Sequence, residues 1–329
     1  MKDKNNSSVL IMMASYNGEK YISKQIESII KQDFKNWTLI IQDDGSEDGT
    51  LEIIKEYCQQ DDRIILYYND TDFHGPFINF HLLANKCKKI QHYDYYMFSD
   101  QDDLWDSDKV SKFIAFTREK EIDNEPILTY ADMRIIDADD NITCESIDSL
   151  YNNGYLNKYA VFFTHKIFGC NLLMNQACFF SVPEIDISNP ITKNLSHDNL
   201  YAKFAATLGK VVYYPTCLMG YRRYGGNVTS ERVYKPGVIR VIQRAVSLKK
   251  LAEDHAYIYR ISLYTIKLLQ DKKLTCSQNI FVESIKKIIC EGGFQTISYF
   301  RKHRINLGKG IENISHILIL VLKMQKKYL

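Results

Sequence analysis

Three carboxylates stand within four residues at Asp100-Gln101-Asp102-Asp103. Such neighbours repel one another unless a cation sits among them. In a cleft, the cation suited to bare carboxylate oxygens is a hard divalent metal, Mg²⁺ or Mn²⁺, and two protein ligands leave room on it for phosphate oxygens. A solvated acidic turn or a helix N-cap is the alternative. Upstream, Asp43-Asp44-Gly45-Ser46 offers a carboxylate that could accept the N3–H of a pyrimidine, or else only a tight turn with Ser46 or Asp48 capping the next helix. Ala14-Ser15-Tyr16-Asn17-Gly18 offers a ring for stacking on a base and a glycine for close backbone approach. Arg222 and Arg223 could neutralise a diphosphate, or form surface ion pairs.

These groups are useful only if the fold brings them together. Val9–Met13 is a continuous apolar run, as expected of a buried strand. Glu19–Lys31, with Ile22, Ile26, Ile29 and Ile30, has helical spacing. Strands at Trp37–Gln42, Ile64–Tyr68 and Tyr95–Ser99 alternate with helices at Asp48–Cys58 and Phe77–Cys87. This alternation predicts βαβ units in a doubly wound sheet, with ligands beyond the carboxyl ends of the strands. The three polar tips lie at such ends. Neither a G-x-G-x-x-G nor a G-x-x-x-x-G-K-[ST] occurs, which disfavours dinucleotide and P-loop sites.

Further on, the pattern predicts a helix at Asp108–Thr117, a strand at Ile127–Ile136, a loop over 138–158, a strand at Asn171–Met174, a helix at His197–Leu208 and a strand at Val211–Tyr214. Pro236-Gly237 marks a boundary between residues 1–235 and 236–329. Beyond it, Val238–Leu251, Tyr257–Leu269, Asn279–Ile289 and Ile311–Lys323 read as amphipathic basic helices. The net charge of +2 conceals an asymmetry: residues 232–329 hold 19 Lys and Arg against 6 Asp and Glu, while residues 1–231 hold 23 against 34. A basic helical appendage on an acidic body points to an anionic partner, such as a membrane surface, a nucleic acid or a phosphorylated lipid, or else is a helical cap or oligomerisation element with a solvated basic face. Without a recognition motif, nucleic acid is not expected. The eight cysteines show no C-x-x-C and no zinc spacing, so reduced thiols are expected. Met1–Ser8 is polar, and the longest apolar run, Ile317–Leu322, is too short to span a bilayer. Both predict a cytoplasmic protein, peripheral at most on the inner face of the membrane.

Taken in order, the tips resemble those of the family 2 glycosyltransferases of the GT-A fold, in the rhamnosyltransferase-like branch that builds cell-surface polysaccharides such as capsule and O-antigen. The residues that carry the resemblance are 8–32, 40–50, G-P-F-I-N-F (75–80), F-S-D-Q-D-D-L-W (98–105), F-G-C-N-L-L-M-N (168–175), S-H-D-N-L (196–200) and Y-R-R-Y-G-G-N-V-T (221–229). The resemblance implies an α/β GT-A domain with a doubly wound mixed sheet. It also implies metal-dependent, inverting transfer of rhamnose or a hexose from a UDP- or dTDP-sugar to a lipid-linked glycan. Ala14, Tyr16, Asn17, Asp44, Gly45 and Gln101 would hold the nucleotide, with Asp44 on the base. Asp100 and Asp102 would form the D-x-D pair, Asp102 being the direct ligand of Mn²⁺ or Mg²⁺. Asp103, Trp105, Gly169, Cys170 and His197 would line the sugar and acceptor pocket, and Asp198 would be the general base. The branch leads one to expect a His near Tyr224 and a Trp near Asn199; both are replaced here. Two rival functions share some of these features. A nucleotidyltransferase would need a basic Gly-rich loop after the first strand, which Ala14–Lys20 lacks. A non-catalytic glycan- or lipid-binding scaffold would tolerate loss of Asp102 and Asp198.

Overall fold

The computed structural model describes residues 7–151, 154, 156–224, 248–308 and 311–329. The boundary expected at Pro236-Gly237, and residues 238–247 of the first expected C-terminal helix, lie outside the described residues.

The chain alternates as expected through β1 (Val9–Ser15), α1 (Ile22–Ile30), β2 (Trp37–Asp43), α2 (Thr50–Gln60), β3 (Ile64–Tyr68), α3 (Pro76–Cys87) and β4 (Tyr95–Ser99). After these come β5 (Leu104–Trp105), α4 (Lys109–Arg118), β6 (Ile127–Ile136), β7 (Ile142–Cys144), α5 (Ile147–Tyr151), β8 (Leu172–Asn175), α6 (Gln176–Ser181), α7 (His197–Leu208) and β9 (Lys210–Arg222). One mixed sheet holds them in the order β3-β2-β1-β4-β8-β6-β9-β5, with β7 beside β6. Strands β3, β2, β1 and β4 are mutually parallel. β8 runs antiparallel to both β4 and β6, and β5 antiparallel to β9.

Both faces of the parallel half are covered, so its strands are apolar throughout rather than alternating. Leu10, Met12, Ile40 and Phe98 look into one core layer, and Val9, Ile11, Met13, Leu39 and Ile41 into the other. The first layer is closed by α3, α7 and the C-terminal helices α8 (Leu248–Gln270) and α9 (Cys276–Glu291), which contribute Tyr259, Ile261, Phe281 and Ile285 to it. Two more helices follow, α10 (Gln295–Lys302) and α11 (Ile311–Val321).

Four expectations needed correction. The stretch 138–158 is not all loop: it carries β7 and α5. Strand β9 runs on to Arg222 instead of stopping at Tyr214, because Pro215 and Thr216 bulge out of the ladder. Tyr214 pairs with Ala131 and Cys217 with Asp132, so the proline, which has no N–H, is excused from donating. The polar break at 252–256 does not separate two helices: α8 passes through it unbroken. Strand β5 and helices α6 and α10 were not expected at all. Among the described residues no helix is long and apolar enough to cross a membrane.

Candidate active site

The ends of β1, β2 and β4 meet at one edge of the sheet. β1 pairs with β2 up to Ser15–Asp43 and with β4 up to Met13–Ser99, so Tyr16, Asp44 and Asp100 follow adjacent strand ends. Asp43 organises the turn between them: its carboxylate accepts from Ser15 Oγ at 2.9 Å, Ser46 Oγ at 2.6 Å and the amides of Gly45 and Ser46. Asp44 is the carboxylate left to look outward from β2. It is 6% exposed and accepts from the Gly75 amide at 2.8 Å and Asn69 Nδ2 at 2.5 Å, with His74 Nδ1 at 3.1 Å. A carboxylate has about four acceptor positions, so these contacts orient Asp44 and leave room for one more donor. Asn69 and His74 carried no signal of this in the sequence.

Tyr16 is 54% exposed at the rim. Its backbone N–H donates to Gln101 Oε1 and its carbonyl accepts from Gln101 Nε2, both at 2.9 Å. Gln101 thus clamps the first tip to the acidic loop by mimicking a strand partner. The clamp explains Gly18, where an added Cβ would sit 2.3 Å from Gln101 Oε1. Asn17 takes a left-handed φ of 45° and accepts from the Glu47 amide, while Gly45 turns at φ 87°. Ala14 is half-buried at the foot of this loop.

The acidic loop divides into an outer and an inner part. Asp100 and Asp102 are half-buried. Burial, with Asp102 and Asp198 nearby, pushes the Asp100 carboxyl up to about 7. Burial likewise raises Asp102, against a hydrogen bond from Tyr224. Asp103 is fully buried and accepts from the Arg222 amide at 3.0 Å. An oxygen each of Asp100 and Asp103 and the Cys170 sulfur lie within 4.8 Å of one another. That triad fits a hard cation poorly, because burial holds the Cys170 thiol far above its usual range, hence protonated. Asp102, partly accessible like Asp100, is not one of that group.

Arg222 is not the open cation expected from the sequence. It is 0% exposed. Its Nε donates to the Asp102 carbonyl at 2.7 Å, its Nη1 to the Asp137 carbonyl at 2.8 Å and to Asp140 at 2.5 Å, and its guanidinium lies 4.5 Å from the Tyr21 ring centroid. It holds the loop rather than a ligand. Arg223, half-buried at the same strand end, is the member of the pair nearer solvent. Trp105 is likewise an internal post, 5% exposed with Lys109 Nζ 3.9 Å from its ring centroid. Lys109 also donates to the Cys170 carbonyl at 2.7 Å, and burial lowers its ammonium to about 7.

Asp198 lies in the first turn of α7 and is 8% exposed. It accepts from the Gly169 amide at 3.1 Å and from Asn199 N and Nδ2 at 2.6 and 2.9 Å. His165 Nε2 stands 3.4 Å away. Burial alone would raise the Asp198 carboxyl, but His165 leads a set of neighbours that together hold it well below the usual range. Gly169, whose amide donates to Asp198, precedes Cys170, whose sulfur lies within 4.8 Å of an Asp100 oxygen. His165, which nothing in the sequence marked, is thus the histidine whose ring nitrogen stands beside Asp198. His197 is packed instead, 4% exposed, 3.9 Å from the Phe80 ring and 4.5 Å from Phe98, and burial drops it to about 4. Gly169 makes room for it: a Cβ there would meet His197 Nε2 at 2.2 Å.

Comparison with known proteins places residues 10–125 on the model of "Glycosyl transferase family 2". The dTDP-rhamnosyl transferase RfbG of Shigella flexneri is 41% identical over 103 residues, 31% of this chain and 35% of that protein. The UDP-Glc:alpha-D-GlcNAc-diphosphoundecaprenol beta-1,3-glucosyltransferase WfgD of Escherichia coli is 34% identical over 107 residues, 32% of this chain and 40% of that protein. The matched segment thus spans well under half the length of these relatives. TarS of S. aureus, in complex with UDP-GlcNAc, superposes with a TM-score of 0.55 at 14% identity, covering 96% of this chain and 80% of that one. At that identity the likeness shows the GT-A fold.

Proposed function

We propose, from the family 2 glycosyltransferase domain that residues 10–125 carry on a GT-A fold, that this protein transfers a sugar from a nucleoside diphosphate sugar to a glycan hydroxyl with inversion. The observation that supports the reading is the convergence of Tyr16, Asp44 and Asp100 at adjacent strand ends, with Asp198 joined to the same region through the Gly169 amide next to Cys170.

In this mechanism Tyr16 stacks on the base and Asp44 accepts its N3–H. Asn17, Gly45 and the Gln101 clamp shape the loops around the nucleotide. Asp100 and Asp102 would hold Mn²⁺ or Mg²⁺, which would supply positive charge for the leaving diphosphate. Arg223 lies at the same edge for that charge. Asp198 takes the acceptor hydroxyl proton as the oxygen bonds to the anomeric carbon. The bond from that carbon to the diphosphate oxygen breaks, and its electron pair leaves with the nucleoside diphosphate. Backside attack inverts the centre. His165, Asn199 and the Gly169 amide keep Asp198 ionised and aimed.

The donor is a UDP- or dTDP-sugar, rhamnose or a hexose, by the likeness to the two relatives named above. Incubating the protein with Mn²⁺ and UDP-glucose, UDP-galactose, UDP-GlcNAc or dTDP-rhamnose is expected to release nucleoside diphosphate from one of the four. Release from none, with or without acceptor glycan, would sink the reading.

The acceptor is lipid-linked, and the C-terminal helices face the membrane that carries it. Ile314, Leu318 and Leu322 form an exposed apolar stripe at helical spacing along and just past α11, with Phe294 82% exposed and Lys323, Lys326 and Lys327 following. Sedimentation with vesicles is expected to carry down the protein when they contain anionic lipid, and Leu318→Glu with Leu322→Glu is expected to leave it in the supernatant. Equal recovery of both proteins in the pellet would refute the membrane face.

A further inference from the structure

Helix α3 touches both ends of the site. At its start the Gly75 amide donates to Asp44 at 2.8 Å. Asn79 exchanges two bonds with Gln42 of β2: its Nδ2 donates to the Gln42 carbonyl at 2.8 Å, and its Oδ1 accepts from Gln42 Nε2 at 2.7 Å. Further along, His81, Asn85 and Lys88 stand at helical spacing on one face. They fasten residues 182–196, the connection from α6 to α7. Lys88 Nζ donates to the carbonyls of Val182 and Pro183 at 2.8 and 3.0 Å. Asn85 pairs with Ile185, its Nδ2 donating to the carbonyl at 2.8 Å and its Oδ1 accepting from the amide at 3.0 Å. His81 Nε2 lies 2.7 Å from the carbonyl of Leu195, the residue before the Ser196 N-cap of α7. A carbonyl only accepts, so this ring nitrogen carries the proton. His81 is 1% exposed, and burial drops its imidazole to about 3, so it donates as a neutral ring. Its neighbour Phe80 meets the ring of His197, the residue before Asp198, at 3.9 Å.

We propose that His81 is a positioning residue for Asp198, acting through the main chain at Leu195 and Ser196. The inference rests on the reading of Asp198 as the base and adds to it the residue that sets where the base helix begins. Asp198 lies in the first turn of α7, so a shift at the N-cap carries the carboxylate with it. The Asn85 and Lys88 fastenings hold residues 182–185, far from that turn, whereas His81 holds the chain beside it. Because α3 is also fixed to Asp44 and β2, the His81 bond refers the position of the base to the strand that carries the nucleotide contact. Misplacing reacting groups by about 1 Å can cost about 100-fold in rate. What the role requires is a donor with the reach of Nε2, which a glutamine amide supplies as well as an imidazole.

The experiment reads nucleoside diphosphate release from whichever of the four sugar donors wild type consumes, at saturating donor and Mn²⁺, beside the affinity for UDP and dTDP by calorimetry. His81→Phe keeps a ring and loses the hydrogen-bond donor. It is expected to lower kcat about 10- to 100-fold, with nucleotide affinity within a few-fold of wild type. His81→Gln returns a donor at the position of Nε2 and is expected to recover most of the rate. Wild-type kcat in His81→Phe would overturn the proposal. So would an equal loss in both variants, or a loss of nucleotide affinity in step with kcat, since the effect would then be one of general packing. If melting shows His81→Phe unfolded at the assay temperature, His81→Asn, whose amide stops short of Leu195, takes its place with the same expected loss. Asp198→Asn, assayed in parallel, separates the two readings. If it released nucleoside diphosphate as fast as wild type, or if wild type released none, the base reading would fall and the role of His81 with it. If it lost the rate while His81→Phe did not, only the role of His81 would fall.

Discussion

Asp198→Asn is expected to lower kcat by roughly 10²–10⁴-fold, the usual worth of a positioned general base, while nucleotide binding stays within a few-fold. The side chain keeps its size, so the test isolates the capacity to accept a proton. Among the described residues, the polar partners of the carboxylate are donors or a histidine: Gly169 N, Asn199 N and Nδ2, and His165. An amide turned toward them must set one N–H against another, a local loss of about 1–3 kcal/mol. Melting curves at one pH will show whether the variant is folded at the assay temperature. A folded variant within tenfold of wild-type kcat would remove Asp198 as the base. The sign of its pH behaviour also follows. A carboxylate held below its unfolded value near 3.9 contributes stability that is fully present above that pH and is lost as acid reaches its folded value. Asp198 therefore stays ionised through the neutral range, and loss of activity between about pH 5 and 7 must come from other groups.

Asp100 is the group to expect there. Asp102→Asn, or removal of metal with a chelator, is expected to reduce sugar transfer roughly 10³-fold, equivalent to about 4 kcal/mol of lost charge stabilisation on the leaving diphosphate. Returning Mn²⁺ should restore the chelated wild type and not the variant. In the metal-free protein burial and two neighbouring carboxylates keep Asp100 protonated up to about 7. Binding a cation must displace that proton, so apparent Mn²⁺ affinity should rise with pH and level off above about 7. A pH-independent affinity between 5 and 8, or full activity after chelation, would argue against a metal on this pair.

The half of the molecule that was easy to read from sequence is the half with local rules. β1 to β4 are buried on both faces, and continuous apolar runs such as Val9–Met13 announce this without any knowledge of the neighbours. The polar tips follow directly on those runs, so the shared edge of Tyr16, Asp44 and Asp100 is legible from sequence alone. What failed depended on distant contacts. Arg222 looks like a free cation beside Arg223, but its burial is decided by Tyr21, Asp102 and Asp140, remote from it in the chain. His197 sits next to Asp198 in sequence, yet the helix turns it under Phe80 and Phe98, and His165 comes in from a separate loop. Pro215 hid the second half of β9, because a proline tolerated at a bulge cannot be told from one that ends a strand until the partner's register is known.

The back of α7 is the feature with the widest reach. Lys203 on that helix is 1% exposed, its ammonium lowered to about 7 by burial, and it borders a small cavity with His165, Ser196 and Asn199 that Tyr257, Ile258 and Ile261 of α8 close. The groups assigned to the donor all lie within residues 14–103, at or beyond the ends of parallel strands, apart from Arg223, whereas His165 and Asn199, which flank Asp198, border the cavity that α8 closes. The family match covers the first stretch and stops at residue 125. On the proposed reading, donor-side and acceptor-side groups thus sit on different lengths of chain. Drift in α8 can retune the nucleophile's side of the reaction without touching the nucleotide, and a graft that moves α7 between homologues has to bring α8 with it.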